Sequence, residues 1–316
     1  MTTTTMRAIS QDVLGGPEVL QEVQLERPAP GPGELLVRVH AAGVNPTDWK
    51  HRAHSFYLGE PPFVLGWDVS GVVEEAADGV TLFAPGDEVF GMLPYPHGVG
   101  SHAEYVTGPA RAFARKPAGV DHVQAGALPL AALTAWQALV DTADVAAGQR
   151  VLIHAAAGGV GHLAVQIAKA RGAYVIGTAR ADKHAFLRGL GADELIDYRE
   201  ADFAEAAGEV DLVLDTIGTD DYRERSLRTL RPGGLLVSLL PVGGAELTAR
   251  AERLGVRATL LLVEADHAGM NAIAGLVEAG SLRAAVAGTF PLADAARAHE
   301  LGETGRTAGK LVLTMG

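Results

Sequence analysis

The period of hydrophobic and polar positions changes once along this chain. From Met6 to about Gly119, apolar residues alternate or cluster in short runs at Arg7–Val13, Val19–Leu25, Leu35–Val44, Val69–Ala76, Glu88–Met92 and Ala103–Val106. Gly15-Gly16-Pro17, Pro28–Gly33 and Pro85-Gly86-Asp87 punctuate them. Short runs between turn signals predict an all-β, barrel-like region. Asn45–Tyr57 breaks the pattern. It is polar and aromatic, and reads as a loop or short helix between strands.

From Gln124 the apolar period lengthens. Helices are predicted over Gln124–Ala143, His162–Arg171, Lys183–Gly189, Tyr222–Leu230, Gly269–Ala279 and Leu292–Gly302. Strands are predicted over Val151–Ile153, Tyr174–Thr178, Glu194–Asp197, Val210–Asp215, Leu235–Leu240 and Thr259–Val263, with a turn at Arg231–Gly234. Strands alternating with helices imply an α/β fold with a doubly wound parallel sheet and right-handed crossovers. A last strand, Lys310–Thr314, follows a sheet that is already complete and is expected to rejoin the first region. The expected division is residues 1–122 completed by 265–316, and 123–264.

The stretch that organises the second region is Val151–Lys169, VLIHAAAGGVGHLAVQIAK. An apolar strand turns through Ala155–Gly161 into a helix whose face carries Leu163, Ile167 and Ala170. The G-x-G-x-x-G frame falls on Ala156, Gly158 and Gly161, with alanine in the first place. Gly158 and Gly159 let backbone N–H groups approach a pyrophosphate, and Gly161 lets the helix lie close to the strand. Ala157, Gly158, Gly159, Val160 and Gly161 are therefore the candidate pyrophosphate contacts.

An NAD site carries Asp or Glu at the end of the second strand, roughly 20 residues beyond the glycines. Here that place reads Gly177-Thr178-Ala179-Arg180, with no acid and with a guanidinium. Lys183 follows, and Tyr198 closes the third strand. Arg180, Lys183 and Tyr198, a cationic fork plus a phenol, suit a ribose 2′-phosphate, so the expected cofactor is NADPH, with Thr178 a further candidate cofactor contact. Asp215, at the end of the fourth strand, either caps its turn or touches ribose.

Composition narrows the choices. The 316 residues have room for two domains. Hydrophobic residues are 48% and charged residues 20%, as in a globular chain. Twenty-six Lys and Arg against 38 Asp and Glu give a net charge of −12, which disfavours nucleic acid and anionic membranes as partners. There is no cysteine, which removes disulfides, iron–sulfur clusters and thiolate zinc sites. The opening MTTTTMR lacks an apolar core and reads as a frayed lead-in rather than a signal peptide. Val123–Val140 carries no charge, but Gln124, Pro129, Thr134 and Gln137 interrupt it, and a buried helix is expected there rather than a membrane span. A cytoplasmic protein is expected.

Taken together, Gly148-Gln149, Leu152, Ala156–Gly161, Gln166 and Lys169 resemble a family signature at every spacing. So do Ala42–Asp48, Leu65–Gly71, Ala84–Val89, Gly100–Tyr105, Leu133–Leu139 and Gly309–Leu313. The chain is similar to the zinc-independent quinone oxidoreductases of the medium-chain dehydrogenase/reductase superfamily over almost its whole length. The resemblance implies a GroES-like catalytic domain and a Rossmann domain, with an active site in the cleft between them. It also implies Asn45 and Thr134 near the nicotinamide, Lys183 and Tyr198 on the 2′-phosphate, and a homodimer formed through the edge of the Rossmann sheet. Zinc-dependent relatives have His-Glu where this chain has Trp67-Asp68. His51 and His54 lack a third ligand of matching placement and are expected on the loop surface.

Hydride delivery from NADPH to an already electrophilic acceptor needs orientation, a dry site and one hydrogen bond to the oxygen that gains charge. Quinones and enones meet that requirement. Asn45 and Tyr57 are the candidate catalytic groups. His102 is a third candidate, or a barrel residue without chemistry. Asp48 and Asp68 are expected to cap turns or bond within the barrel. Two alternatives remain open: an enone, 2-alkenal or enoyl-thioester reductase, and a non-catalytic NADPH-binding protein.

Overall fold

The structure, a computed structural model, describes residues 4–240 and 243–316. Contacts divide the chain into two compact units. One runs to Leu133 and resumes at Glu264; the other is Thr134–Val263.

The first unit opens with β1 (Thr5–Gln11), β2 (Gln21–Glu26), β3 (Glu34–Val44), α1 (Pro46–Ala53), β4 (Phe63–Val64), β5 (Asp68–Ala76), β6 (Glu88–Met92), β7 (Tyr105–Pro109), β8 (Phe113–Arg115), α2 (His122–Gly126) and α3 (Pro129–Trp136). β3 is its spine, antiparallel to both β5 and β7. Register shifts on the β5 side bend it, as bulges do where a sheet curls towards a barrel. Gly71 marks a tight approach of β5 to β3, since a Cβ there would meet the Arg38 carbonyl oxygen at 2.1 Å. β4 and β8, of two and three residues, were not expected, because so short a run shows no period. Met1–Thr3 of the expected lead-in lie outside the described residues, and from Thr5 the chain is already paired with β2 rather than frayed.

The second unit comprises β9 (Arg150–Ile153), α4 (Gly161–Ala170), β10 (Tyr174–Thr178), α5 (His184–Gly189), β11 (Glu194–Ile196), α6 (Phe203–Ala206), β12 (Val210–Asp215), α7 (Asp220–Thr229), β13 (Leu230–Ser238), α8 (Gly244–Arg253) and β14 (Arg257–Leu260). Its parallel sheet runs β11-β10-β9-β12-β13-β14, the doubly wound Rossmann order. Leu152, Ile176, Val213 and Leu236 are fully buried in its core. The expected helix over 124–143 is three pieces. Pro129 opens α3, where its missing N–H costs least, and residues 137–142 widen into a π-helical turn. The Arg231–Gly234 turn is a kink inside β13, with Gly233 at φ +76°. α8 was missed because its buried stripe is only Leu247 and Ala251 among charged residues.

The chain then returns through α9 (His267–Glu278), β15 (Val286–Pro291), α10 (Ala295–Glu303) and β16 (Lys310–Thr314). β16 pairs antiparallel with β3, Leu311 opposite Val44, so the last strand rejoins the first sheet. Residues 123–133 also pack with the first unit, where a Cβ on Gly126 would lie 2.9 Å from the Ala41 carbonyl oxygen.

A buried ammonium ties this return together. Lys310 is 3% exposed. Its Nζ donates to the Val44 carbonyl at 3.2 Å and to Asn45 Oδ1, and lies 3.4 Å from Asp68 Oδ2. Asn45 Nδ2 donates to the same Asp68 oxygen at 2.8 Å, and Leu130 N–H donates to the other at 2.6 Å. Asp48 Oδ2 accepts the Asn45 N–H at 2.6 Å at the start of α1. Burial pushes Asp48 up to about 8 and raises Asp68, with Lys310 opposing both shifts.

A second buried group joins α1 to α10. Arg52, 2% exposed, pairs with Glu303 at 2.7 Å and reaches His299 Nδ1 at 3.2 Å. The His299 ring lies 6.0 Å from that of His102. Burial lowers His102 to about 4 and His299 to about 2.

Two predictions follow from these groups. Lys310→Met leaves buried carboxylate without its cation, and should cost about 3–5 kcal/mol in urea unfolding. Asp68→Asn in the same chain should return much of that loss; a single-variant cost below about 1 kcal/mol would contradict the burial argument. The histidines act through pH. Their folded pKa values lie below the ordinary 6.5, so the unfolded chain takes up protons first as pH falls. The histidine contribution to stability should therefore fall from about pH 6.5 towards pH 4. It is opposed over the same range by Asp48 and Asp68, whose raised carboxyls take up protons in the folded state first. His102→Leu should shift the balance towards greater acid stability in thermal unfolding. An unchanged pH dependence in the folded variant would place the acid sensitivity elsewhere.

Candidate functional site

In the second unit, β9 ends at Ile153 and the chain turns through Ala155, at φ +44°, into α4. Gly161 fits because a Cβ there would meet the Ala155 carbonyl oxygen at 2.5 Å and Ala156 Cα at 2.7 Å. The turn is pinned by Gly158 N–H on the Ala155 carbonyl (2.8 Å) and Ala156 N–H on the Thr178 carbonyl (3.0 Å). Among the described residues, the backbone N–H groups of Ala157, Gly159, Val160 and Gly161 have no partner. Four such donors at the N-terminus of a ten-residue helix form an anion cradle, so the loop fits a dinucleotide pyrophosphate.

Beyond β10, a 3₁₀ turn at Ala181–Lys183 brings Arg180 and Lys183 together. Asp182, which the sequence reading passed over, lies between them. Its Oδ2 is 3.5 Å from Arg180 Nη2 and 3.6 Å from Lys183 Nζ. Asp197 secures the turn by accepting the Ala181 N–H at 2.8 Å. Arg199, also missed, holds Asp197 through its own N–H at 3.0 Å and through Nη2 at 3.0 Å. The hydrogen bonds from Arg199 hold the Asp197 carboxyl well below the usual range. Tyr198 is 44% exposed beside this pair. The signal for Arg199 was available, as a cation directly after the tyrosine that closes the third strand.

Thr178 and Asp215 are turned inward. Thr178 is fully buried; its hydroxyl accepts the Ala155 N–H at 3.2 Å and lies 3.2 Å from His154 Nδ1. Asp215 is also fully buried. One oxygen caps Ile217 and Gly218, both at 2.9 Å, and the other accepts Ser238 Oγ at 2.8 Å with Arg223 Nε 3.6 Å away. Of the two roles expected for Asp215, turn capping is the one these bonds perform. Thr134 is 7% exposed on α3.

In the first unit, Asn45 is 1% exposed, with both ends of its carboxamide engaged by Lys310 and Asp68. Tyr57 is 45% exposed and belongs to a cluster of rings. His51 sits at its centre, 6.0 Å from Tyr57, 5.7 Å from Phe56, 5.2 Å from Trp67 and 6.4 Å from Tyr95. His97 is 6.4 Å from Tyr57. The expectation of a surface His51 is corrected: it is 3% exposed, because α1 turns it inward against Trp67. Its Nδ1 donates to the Thr47 carbonyl at 2.8 Å, and burial keeps the ring neutral by lowering its pKa. His51 Nε2 and Trp67 Nε1 are buried without a partner among the described residues. His54 is exposed. Burial also raises Tyr95, whose oxygen accepts the Thr47 hydroxyl at 3.2 Å. His102 is fully enclosed, away from solvent. At the start of α9, Asp266 caps the helix and His267 donates to the Phe113 carbonyl at 2.7 Å. The Arg52 guanidinium is consumed by Glu303.

No group of three or more His, Cys, Asp or Glu able to hold a metal ion occurs among the described residues. Nor is any of their helices long and apolar enough to cross a membrane.

Comparison with known proteins places this geometry. The profile of the family described as alcohol dehydrogenase GroES-like domain matches residues 31–118, and that of zinc-binding dehydrogenase matches residues 190–313. A 2-haloacrylate reductase from Burkholderia sp is 37% identical, over 95% of this chain and 96% of its own. The structure of the quinone oxidoreductase from Coxiella burnetii is 38% identical with a TM-score of 0.93, covering 99% of this chain and 100% of its own. Escherichia coli quinone oxidoreductase complexed with NADPH is 31% identical with a TM-score of 0.87, covering 98% and 100%. With a GroES-like first unit, a Rossmann-like second unit and these relatives, the chain is an oxidoreductase that belongs to the quinone oxidoreductases of the medium-chain dehydrogenase/reductase superfamily.

Proposed function

We propose that this chain reduces quinone-type acceptors with NADPH. The observation that carries the reading is the group at the ends of β10 and β11, where Arg180, Lys183, Tyr198 and Arg199 stand in place of the acid of an NAD site. The unpartnered N–H groups of Ala157, Gly159, Val160 and Gly161 would hold the pyrophosphate. Arg180, Lys183 and the Tyr198 hydroxyl would hold the 2′-phosphate. Thr178 and Asp215 shape the turns behind the cofactor rather than touch it. The bound nucleotide supplies the hydride.

The first unit supplies the acceptor surface in this reading. The rings of Tyr57, Tyr95, Phe56 and His51 offer flat apolar faces for a conjugated ring. Tyr57, the most accessible phenol of the cluster, donates a hydrogen bond to the oxygen that gains charge. Asn45 acts indirectly. Its carboxamide is held by Lys310 and Asp68, and it fixes the start of α1, on which His51 lies. The name of the 2-haloacrylate reductase favours a second reading, reduction of an activated alkene on the same surface. A homodimer formed along the outer edge of β14 belongs to the same proposal. That edge has no pairing strand among the described residues, and Leu254 and Leu262 beside it are 46% and 39% exposed.

Anaerobic NADPH oxidation with a simple quinone, a simple enone and a 2-haloacrylate side by side tests the acceptor. Quinone turnover is expected. Tyr57→Phe should lower kcat roughly tenfold, the scale of one lost hydrogen bond to developing charge, with the NADPH Kd unchanged. Activity with the alkene alone would transfer the function to the second reading, and no turnover with tight NADPH binding would favour a non-catalytic role. For the cofactor, Lys183→Met should weaken NADPH roughly tenfold or more and leave NADH within about twofold. Equal weakening of both would remove Lys183 from the 2′ position.

A further inference from the structure

Asp182 is a carboxylate set within this cationic group, beyond the place where the sequence pattern seeks an acid. The 3₁₀ turn is closed by the Lys183 N–H on the Arg180 carbonyl at 2.9 Å, and both side chains reach the same carboxylate. Asp182 is carried between them, and one oxygen, Oδ2, lies 3.5 Å from the guanidinium and 3.6 Å from the ammonium. Those separations are long for charge-assisted hydrogen bonds, and the Asp182 side chain is 55% exposed. Nothing else among the described residues is shown to hold it, whereas Asp197 is locked by Arg199 and by the Ala181 N–H. The cations are thus loosely neutralised by a carboxylate that sits where an incoming anion would have to sit.

Charge decides the consequence. Arg180, Lys183 and Arg199 face Asp182 and Asp197, leaving one net positive charge, while a phosphate monoester carries about −1.5 to −2 at pH 7. A 2′-phosphate must push Asp182 aside and then bear its repulsion. A ribose 2′-hydroxyl meets no such penalty and finds a carboxylate acceptor, the arrangement that selects NADH.

We propose that Asp182 sets the cofactor preference of this chain: it occupies the position between Arg180 and Lys183 that a 2′-phosphate needs, weakening NADPH and keeping NADH as a usable alternative. The inference rests on the reading of β10 and its 3₁₀ turn as the ribose 2′ site. It differs from that reading in sign, because it assigns to one residue of the cationic group an effect opposed to that of its neighbours.

The test is titration of the full-length protein with NADPH, NADH and 2′,5′-ADP at fixed ionic strength, for wild type, Asp182→Asn, Asp182→Ser and Lys183→Met. Asp182→Asn is near-isosteric at an exposed position, and Asp182→Ser removes the side chain's reach. Both should raise the NADPH-over-NADH affinity ratio by roughly tenfold, equivalent to about 1.4 kcal/mol. They should tighten 2′,5′-ADP in parallel, and the gain should shrink as salt is raised. A ratio that stays within about twofold of wild type, or that falls because Asp182 was holding the cations in place for phosphate, overturns the proposal. Lys183→Met separates the two levels. If it lowers the ratio while the Asp182 variants do not raise it, the 2′ site stands and this inference fails. If it leaves the ratio unchanged, the site assignment fails, and the inference with it.

Discussion

The first unit depends on one buried ammonium. Lys310 stands on the last strand, and its three donors are spent on the Val44 carbonyl, the Asn45 side chain and Asp68. These groups lie at the end of β3, at the start of α1 and at the start of β5, so one cation from the last strand fixes three elements that are far from it in sequence. An ion taken out of water at this depth is tolerated only when its partners are complete. The partners here are complete, down to the Leu130 N–H on the second Asp68 oxygen. The ring cluster inherits its geometry from this node, because His51 lies on the helix that Asn45 and Asp48 begin.

The second unit solves a different problem, that of leaving backbone donors open in a loop while closing everything behind it. Among the described residues the N–H groups of Ala157, Gly159, Val160 and Gly161 have no partner, and the groups beneath them are satisfied. Thr178 takes the Ala155 N–H, His154 bridges Thr178 and Ser226, and Asp215 caps the turn after β12. Burial lowers His154 to about 4, so it serves this network as a neutral ring. Rigid support beneath and unpaired donors above are what preorganised recognition requires.

Much of this was legible in the residues. Tyr174–Thr178, Val210–Asp215 and Lys310–Thr314 are strands with the expected bounds, since buried parallel or central strands are uninterrupted apolar runs. The glycine-rich turn, with its helix and its cations, was readable because its chemistry is local: strand, turn and helix are consecutive. Elements with weak or short patterns were not readable. β15, with alternating half-buried and exposed positions, and α8, with a two-residue stripe, each fall below what periodicity distinguishes.

Sequence by itself determined the two-region organisation, the parallel sheet, the glycine-rich turn into a helix and a cationic rather than acidic end to the second strand. Each of these follows from period, turn chemistry and residue type within a short window. Tertiary structure alone decided the rest. It turned His51 inward against Trp67, spent Asn45, Asp215 and Arg52 on internal partners, and brought Lys310 to Asp68. Those outcomes depend on which groups meet across distances that no window spans, and on burial, which makes an unpaired polar group costly and so dictates its partners.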